Sequence, residues 1–388
     1  MDGARLITDV VEHAHAAVLG PVGAGLGAAP DRPTPTRTRG IPGLVYRSIH
    51  AGYDVVDMTL AAAFGALAGE SPVVPTPERE RLLAILNGVW GDHLAESGNP
   101  LAIEMSFQHA GAPLVLETSA LAAALSEPGG KLLVLAHGLC MDDRCWRDGE
   151  CDYGCALGRD LGYTPLYLRY NSGLHISTNG RRLAALLEQA VAAWPAPVEE
   201  IAIVGHSMGG LIARSAAHYG AREGHAWRTH LNRLVFLGAP HHGSRLERAG
   251  HAADELLALT PYSAPFRRLG VTRSAGITDL RHGSIVDEDW QGLDRFGQRH
   301  DNRRPTPLPA DVSCYAAAVT RGARSGDRLD RLLGDGLVPL DSSLGAHTDA
   351  ARTLVFPESR RWIGYEMGHL DLLRSPQVYE KLREWLAD

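Results

Sequence analysis

The sequence has little lysine and an acidic balance of charge, which narrows the kinds of partner it is suited to bind. Lysine occurs only at Lys131 and Lys381, so arginine supplies nearly all of the positive charge. The formal net charge is -7 and the pI is about 6.2. A nucleic-acid-binding domain usually presents a basic stripe. We therefore expect no nucleic-acid partner.

Long apolar runs are also lacking. No stretch reaches the roughly 18 uninterrupted apolar residues that indicate a membrane span, and the most apolar segment, residues 55–68, contains Asp57. The first 20 residues carry three acidic residues and have no basic start followed by an apolar run. They do not match a secretory signal. We expect a protein without a transmembrane segment, located in the cytoplasm.

Cysteine is scarce and its spacing is uninformative for metal binding. The chain contains five cysteines, of which four are clustered at Cys140, Cys145, Cys151 and Cys155, with Cys314 apart. The spacing C-x4-C-x5-C-x3-C matches no common zinc site, and thiols inside a cell normally stay reduced. We predict free thiols and no metal or other cofactor. A Cys140–Cys145 disulfide is the first alternative and a metal site the second.

One stretch is highly informative: residues 201–211 read IAIVGHSMGGL. An apolar, partly β-branched run precedes Ser207 and a helical pattern follows it, so the stretch predicts a strand, a sharp turn and a helix. Residues 205–209 fit the G-x-S-x-G nucleophile elbow, which exposes a serine hydroxyl at the edge of a sheet. We predict Ser207 as a nucleophile that needs a base to accept its proton. Chance occurrence in a chain with 43 glycines is the alternative, and the flanking strand and helix argue against it.

The base should follow the nucleophile and the acid in the chain. His369 lies after the last predicted strand and before the last predicted helix. His347 precedes that strand, and His206 is adjacent to Ser207 on a tight turn, where neighbouring side chains point apart. We predict His369 as the base.

The acid should orient the imidazole and stabilise its charged form. Asp335 lies between two glycines in the loop after the strand predicted at 312–319, which is where that role requires it. We predict Asp335 as the acid, with Asp341 and Asp327 as alternatives.

Attack on an ester produces an oxyanion, which two N–H donors stabilise. The motif assigns these donors to the backbone of Met208, directly after the nucleophile, and of Leu139, in the loop after the strand predicted at 131–136. Candidate substrate contacts are His137, His206, Leu256 and Tyr262.

From residue 131 onward, predicted strands and helices alternate. This is typical of an α/β fold with a mostly parallel sheet and helices on both faces. The predicted strands are 131–136, 165–170, 201–204, 234–238, 312–319 and 353–356; the helices are 153–161, 179–194, 211–219 and 375–386. Residues 240–311 interrupt the alternation. We predict that they form a lid-like insertion that supplies the acyl pocket and contains a helix at 249–259.

We divide the chain into a helical appendage with a Pro/Gly-rich linker, residues 1–100, and a catalytic domain, residues 101–388. The appendage is predicted to pack against the catalytic domain, and peripheral contact with a partner or lipid surface is the alternative. The sequence gives no indication of the oligomeric state.

Several motifs occur in a characteristic order: His137-Gly138-Leu139, GHSMGG at 205–210, LGAPHHG at 237–243, DGLV at 335–338 and GHL at 368–370. In these motifs the chain resembles an α/β-hydrolase of the bacterial lipase and carboxylesterase type, to which the GPI inositol-deacylase domains are related. The resemblance implies the hydrolase fold for about residues 131–388 and a small-molecule or lipid ester as substrate. In some calcium-dependent lipases of this type an aspartate stands two residues after the histidine, as Asp371 does here. No second ligand is evident, and we predict no calcium.

The sequence thus predicts a serine esterase or lipase. An acyltransferase or polyester depolymerase with the same acyl-enzyme is one alternative. A non-catalytic hydrolase-fold domain that binds partners is the other.

Overall fold

The computed structural model describes residues 76–125, 127–148, 151–243, 274–293, 301, 303–324 and 334–387. The chain divides into two units, Met1–Thr76 and Pro77–Asp388. Apart from Thr76, the first unit lies outside the described residues. The same is true of the helix predicted at 249–259 and of Leu256 and Tyr262.

An eight-stranded sheet forms the centre of the second unit. Its strands are β1 (Ser106–His109), β2 (Ala112–Pro113), β3 (Lys131–Ala136), β6 (Thr164–Arg169), β7 (Glu200–His206), β8 (Leu231–Leu237), β9 (Ser313–Val319) and β10 (Arg361–Gly364), while β4 (Arg147–Asp148) and β5 (Cys151–Asp152) form a separate hairpin. The order across the sheet is β10-β9-β8-β7-β3-β6-β1-β2. All neighbours from β10 to β6 pair in parallel, and β1 and β2 add an antiparallel edge. The fold is therefore α/β with a mostly parallel sheet, as predicted.

Helices connect the strands and cover the sheet. The α-helices are α1 (Pro77–Glu96), α2 (Thr118–Ala124), α3 (Tyr153–Leu161), α4 (Ile176–Ala193), α5 (Met208–Glu223), α6 (Ala275–His282), α7 (Leu340–Ser343) and α8 (Pro376–Ala387). Short 3-10 helices occur at Asp143–Trp146, Ala226–His230, Asp287–Asp289, Glu358–Arg360 and His369–Leu373. None of the helices in these described segments is long and apolar enough to cross a membrane.

The core has one layer on each face of the sheet, because side chains alternate along a strand. In β7, Ile201 and Ile203 join a layer that includes residues of α4 and α5. Ala202 and Val204 join the opposite layer, which includes residues of α3 and α8. Burial of β7 on both faces explains why its sequence is apolar without alternation.

Helix α1 belongs to the same compact unit as the sheet. The buried Asn87 amide donates to the carbonyl oxygens of Leu83 and Leu101, and its oxygen accepts from the Ile103 amide. The boundary between the two compact units lies before α1, at Thr76–Pro77. The division between appendage and catalytic domain at residue 100 stays a prediction.

The prediction of a strand at 353–356 is wrong. Leu354 and Phe356 are buried and Val355 is 79% exposed, so the segment has the alternation of a half-buried strand. It packs on the core without joining the sheet, and the last strand is β10, which pairs with β9. His369 still follows the last strand and precedes the last helix.

Candidate active site

Ser207 lies at the junction of β7 and α5, in the conformation of a strained turn. Its φ and ψ are 53° and -120°, a positive φ that residues other than glycine rarely adopt. The turn is tight: a Cβ at Gly205 would clash with the Gly210 amide, and one at Gly209 would clash with the Ala136 carbonyl. Glycine at both positions is what allows the chain to turn here.

The Ser207 hydroxyl is not used to cap the helix it precedes. A serine at a helix N-cap usually accepts a hydrogen bond from the first turn, but the Ser207 side chain makes no such bond. The backbone N–H of Ser207 is fixed instead by the Leu237 carbonyl at 2.8 Å. The residue is 4% exposed at the amino-terminal end of α5, where free N–H groups favour developing negative charge.

Asp335 and His369 form a buried pair. His369 Nδ1 donates to Asp335 Oδ2 at 2.6 Å, and both residues are almost fully buried. Asp335 Oδ1 accepts from the Leu337 and Val338 amides at 2.9 and 2.7 Å. These bonds fix the orientation of the carboxylate, which in turn places the proton of the imidazole on Nδ1 and leaves a lone pair on Nε2.

The imidazole of His369 lies beside the elbow. A Cβ on Gly238, the residue after β8, would approach His369 Cε1 to 3.1 Å. The preceding residue, Leu237, is the one whose carbonyl holds the Ser207 amide. Within the described part of the chain, His369 Nε2 is buried and makes no hydrogen bond. Catalytic hydrogen bonds are often long in the absence of substrate and tighten when it binds.

The loop after β3 runs along the other side of the serine. A Cβ on Gly138 would lie 3.3 Å from Ser207 Cβ. The backbone N–H groups of Leu139 and Met208 donate no hydrogen bond to any of the residues described. The strands leading to these residues, β3 and β7, are adjacent and parallel, so the two loops emerge at one edge of the sheet.

His137 and His206 lie beneath this edge, and both are fully buried. His137 Nδ1 donates to the Gly138 carbonyl at 2.8 Å, and its ring stacks on Tyr170 with centroids 4.1 Å apart. His206 Nε2 donates to the His369 carbonyl at 3.3 Å. Burial lowers the pKa of His137 and lowers that of His206 well below its usual range. Their burial favours support of the loops, and their predicted role as substrate contacts stays a prediction.

The alternatives to the base and the acid lie in other surroundings. His347 Nε2 pairs with Asp301 at 3.1 Å. Asp341 is exposed at the start of α7, and Asp327 lies outside the described residues.

The thiols that the structure describes are free: Cys140, Cys145, Cys155 and Cys314. The alternative of a Cys140–Cys145 disulfide is therefore wrong. Burial raises the pKa of the Cys140 thiol to about 12, which makes it a poor nucleophile.

Asp371 is engaged by neighbouring donors. Its Oδ2 accepts from the Gly368 amide at 2.7 Å, and its Oδ1 accepts from the Arg374 guanidinium at 2.9 Å. The Asp371 carboxylate thus stabilises the loop that carries His369. No group of three or more metal-ligating side chains occurs among the described residues.

The turn after β6 contributes two residues to the site that the sequence motifs do not indicate. Tyr170 donates its hydroxyl to the His137 carbonyl at 2.6 Å, and the Ser172 hydroxyl accepts from the Cys140 amide at 3.1 Å. Only the position of these two residues in the chain could have indicated a role. Both follow a parallel strand, at the carboxyl-terminal edge of the sheet where active sites of α/β folds lie.

Comparison with known proteins agrees with this architecture. Residues 170–315 match a family model described as a PGAP1-like alpha/beta domain. No curated protein matches the sequence. Together, the sheet order, the elbow and the family match indicate an α/β-hydrolase fold.

Similar solved structures include two lipases and an esterase. The mature lipase BlEst2 of Bacillus licheniformis is 19% identical with a TM-score of 0.45, over 68% of this chain and 95% of that one. Aspergillus fumigatus lipase B is 13% identical with a TM-score of 0.43, over 71% of this chain and 59% of that one. A Pyrococcus furiosus esterase is 14% identical with a TM-score of 0.38, over 67% of this chain and 82% of that one.

Proposed function

We propose that the protein is a serine hydrolase that cleaves carboxylic esters through an acyl-enzyme, with Ser207 as nucleophile, His369 as base and Asp335 as the orienting acid. The observation that carries the proposal is the buried Asp335–His369 hydrogen bond beside a serine held at a positive φ. A buried carboxylate and imidazole that only stabilised the fold would not require a strained serine next to them.

In the proposed reaction, Ser207 Oγ attacks the ester carbonyl carbon while its proton passes to His369 Nε2. The carbonyl electrons move onto oxygen, and the backbone N–H groups of Leu139 and Met208 stabilise the resulting oxyanion. The bond to the alcohol then breaks, and His369 returns the proton to the leaving oxygen. Water repeats the sequence on the acyl-Ser207 ester and releases the acid.

Asp335 stabilises the positive charge that His369 acquires, because its carboxylate accepts a hydrogen bond from Nδ1. The His369 backbone carbonyl accepts a hydrogen bond from His206 Nε2. Because burial keeps His206 neutral, His206 adds no positive charge that would oppose protonation of His369. The neighbouring histidine therefore fixes the loop without weakening the base.

The substrate class is part of the proposal. We propose a small-molecule or lipid ester as substrate, which is the class that the sequence motifs at 205–210, 237–243 and 368–370 imply. We expect no cofactor to be needed, since every step above uses groups of the chain, the ester or water.

Hydrolysis of p-nitrophenyl esters tests the proposal. Ser207→Ala should abolish turnover, since the nucleophile is lost, and should leave the melting temperature close to that of the wild type. The matched control is Ser215→Ala, which removes another buried hydroxyl from α5, one that donates to the Ile285 carbonyl. The control should retain activity, and turnover by a purified Ser207→Ala protein would contradict the assignment.

A further inference from the structure

Helix α1 packs against residues 138–141, the loop after β3 that we call the oxyanion loop. A Cβ on Gly88 would clash with Cys140 Sγ and would lie 3.0 Å from Cys140 Cα. Cys140 directly follows Leu139, whose N–H is assigned to the oxyanion above. The helix therefore approaches the backbone next to that donor as closely as a glycine permits.

The same helix holds the turn after β6. Asn171 Nδ2 donates to the Gly91 carbonyl at 2.8 Å, and Asn171 Oδ1 accepts from the Gly173 amide at 3.0 Å. A Cβ on Gly173 would clash with the Asn87 carbonyl of α1. The turn is thus fitted against one face of α1 by hydrogen bonds and by close backbone contact.

Ser172 joins this turn to the oxyanion loop. Its hydroxyl accepts from the Cys140 amide at 3.1 Å, and the residue is buried. Cys140 has a φ of 58°, a left-handed conformation that is costly for a residue with a side chain. Cys140 is contacted there by the Ser172 hydroxyl, by Gly88 and by the Ile85 carbonyl of α1, which accepts from Cys140 Sγ at 4.0 Å.

Further hydrogen bonds fix α1 itself. Ser274 Oγ donates to the Gly88 carbonyl at 2.7 Å, and the Ala275 amide donates to Asp92 Oδ2 at 2.9 Å. The segment of α1 that touches Cys140 is therefore also held by the start of α6.

We propose that α1 and Ser172 set the position of the oxyanion loop, and that Ser172 is a positioning residue for acyl transfer. The proposal rests on the function proposed above. An oxyanion donor must lie about 2.7–3.1 Å from the developing oxygen, and a misplacement of about 1 Å can cost about 100-fold in rate. Contacts that define the backbone beside Leu139 therefore act on the transition state more than on substrate binding.

The first test replaces Ser172 with alanine. Ser172→Ala removes the acceptor of the Cys140 amide and should lower kcat for p-nitrophenyl ester hydrolysis by about 10- to 100-fold, with KM within about twofold, because the oxyanion forms only in the transition state. The control is Ser215→Ala, which also loses one buried hydroxyl and should keep kcat within about twofold. If both variants melt alike and have the same kcat, Ser172 has no positioning role and the proposal is overturned.

A second pair of variants keeps the test decisive if Ser172→Ala does not fold. Gly88→Ala raises the intrinsic helix propensity of α1, so a loss of activity in this variant would come from the clash with Cys140 and not from a lower helix propensity. It should lower kcat because its methyl group pushes Cys140 and the loop aside. Gly88→Ala combined with Cys140→Ala removes the sulfur, which is the nearest clashing atom, and should recover part of the lost kcat, while the contact with Cys140 Cα at 3.0 Å remains. No loss in Gly88→Ala, or no recovery in the double variant, would count against the proposal.

Failure of the inference and failure of the proposed function give different results. If the wild-type protein hydrolyses no ester, both the proposed function and the inference about Ser172 are contradicted. A wild-type protein that is active, with Ser172→Ala and Gly88→Ala equally active, leaves the function standing and removes only the inference.

Discussion

At the scale of single residues, the backbone of Ser207 is strained, and the residues around Ser207 hold it in that conformation. Ser207 is held at a positive φ, which costs on the order of 1–3 kcal/mol. The Leu237 carbonyl, the glycines of the elbow and the packing of α5 impose that conformation. The hydroxyl is thereby kept out of the helix cap and available for chemistry.

The Asp335 carboxylate accepts three hydrogen bonds, and this determines what Asp335→Asn should do. An amide can accept at only one of its two ends, so the variant cannot satisfy His369 Nδ1 and both backbone amides as the carboxylate does. We expect kcat to fall by about three to four orders of magnitude, since the imidazole is no longer held in the reactive tautomer.

The control for this variant is Asp341→Asn, which removes an exposed acid six residues further along the same segment. Steady-state kinetics on one ester should show wild-type turnover for the control. If kcat for Asp335→Asn lies within tenfold of that for the control, Asp335 is not the acid that orients His369.

The individual residues of the site were predictable to different degrees. The elbow is a local pattern, so five consecutive residues predict the turn that the structure shows at Ser207. Chain order and the position of the loops predict the pairing of Asp335 with His369. The support from Tyr170 and Ser172 depends on strands that become neighbours after folding, and no local pattern indicates such contacts.

At the scale of elements, apolar patterning predicted the central strands well and the last one poorly. The strand at 131–136 and the helix at 153–161 coincide with β3 and α3. The segment 353–356 has the alternation of a strand because it packs against the core, yet hydrogen bonding to a neighbour is what defines a strand. β10, with a half-buried Trp362 and Ile363, is an edge strand whose sequence is less apolar.

Packing of the segment 353–356 can be measured directly. Phe356 is buried against Phe236, with ring centroids 5.9 Å apart, whereas Val355 is 79% exposed. Phe356→Ala should lower the free energy of unfolding by about 3–5 kcal/mol, and Val355→Ala should change it by less than about 0.5 kcal/mol. Urea denaturation of both variants makes the comparison, and equal effects would show that the segment does not pack as described.

At the scale of the whole molecule, buried histidines couple stability to pH. Burial lowers the pKa of His206 and His241 well below the usual range and that of His242 to about 4. In the unfolded chain these groups take up protons near pH 6.5. The unfolded state therefore binds more protons than the folded state as the pH falls from about 6.5 towards 4, and stability is lost in that window.

Each such histidine should add about 1.4 kcal/mol per pH unit to the loss. His241 is a suitable probe because neither of its ring nitrogens has a hydrogen-bond partner among the described residues, and its ring packs against Phe236 and Phe356. His241→Leu should flatten the dependence of the unfolding free energy on pH between about 6.5 and 4.5. If the unfolding free energy of the variant and of the wild type depends on pH in the same way, burial does not lower the pKa of His241 as described.

The catalytic account as a whole depends on Ser207 being an activated nucleophile. A fluorophosphonate probe reacts with such a serine, and peptide mapping identifies the residue that carries the label. We expect label on Ser207 in the wild type, none on Ser207→Ala, and much slower labelling of His369→Ala. A folded wild-type protein that stays unlabelled, or that carries the label on another residue, would contradict it.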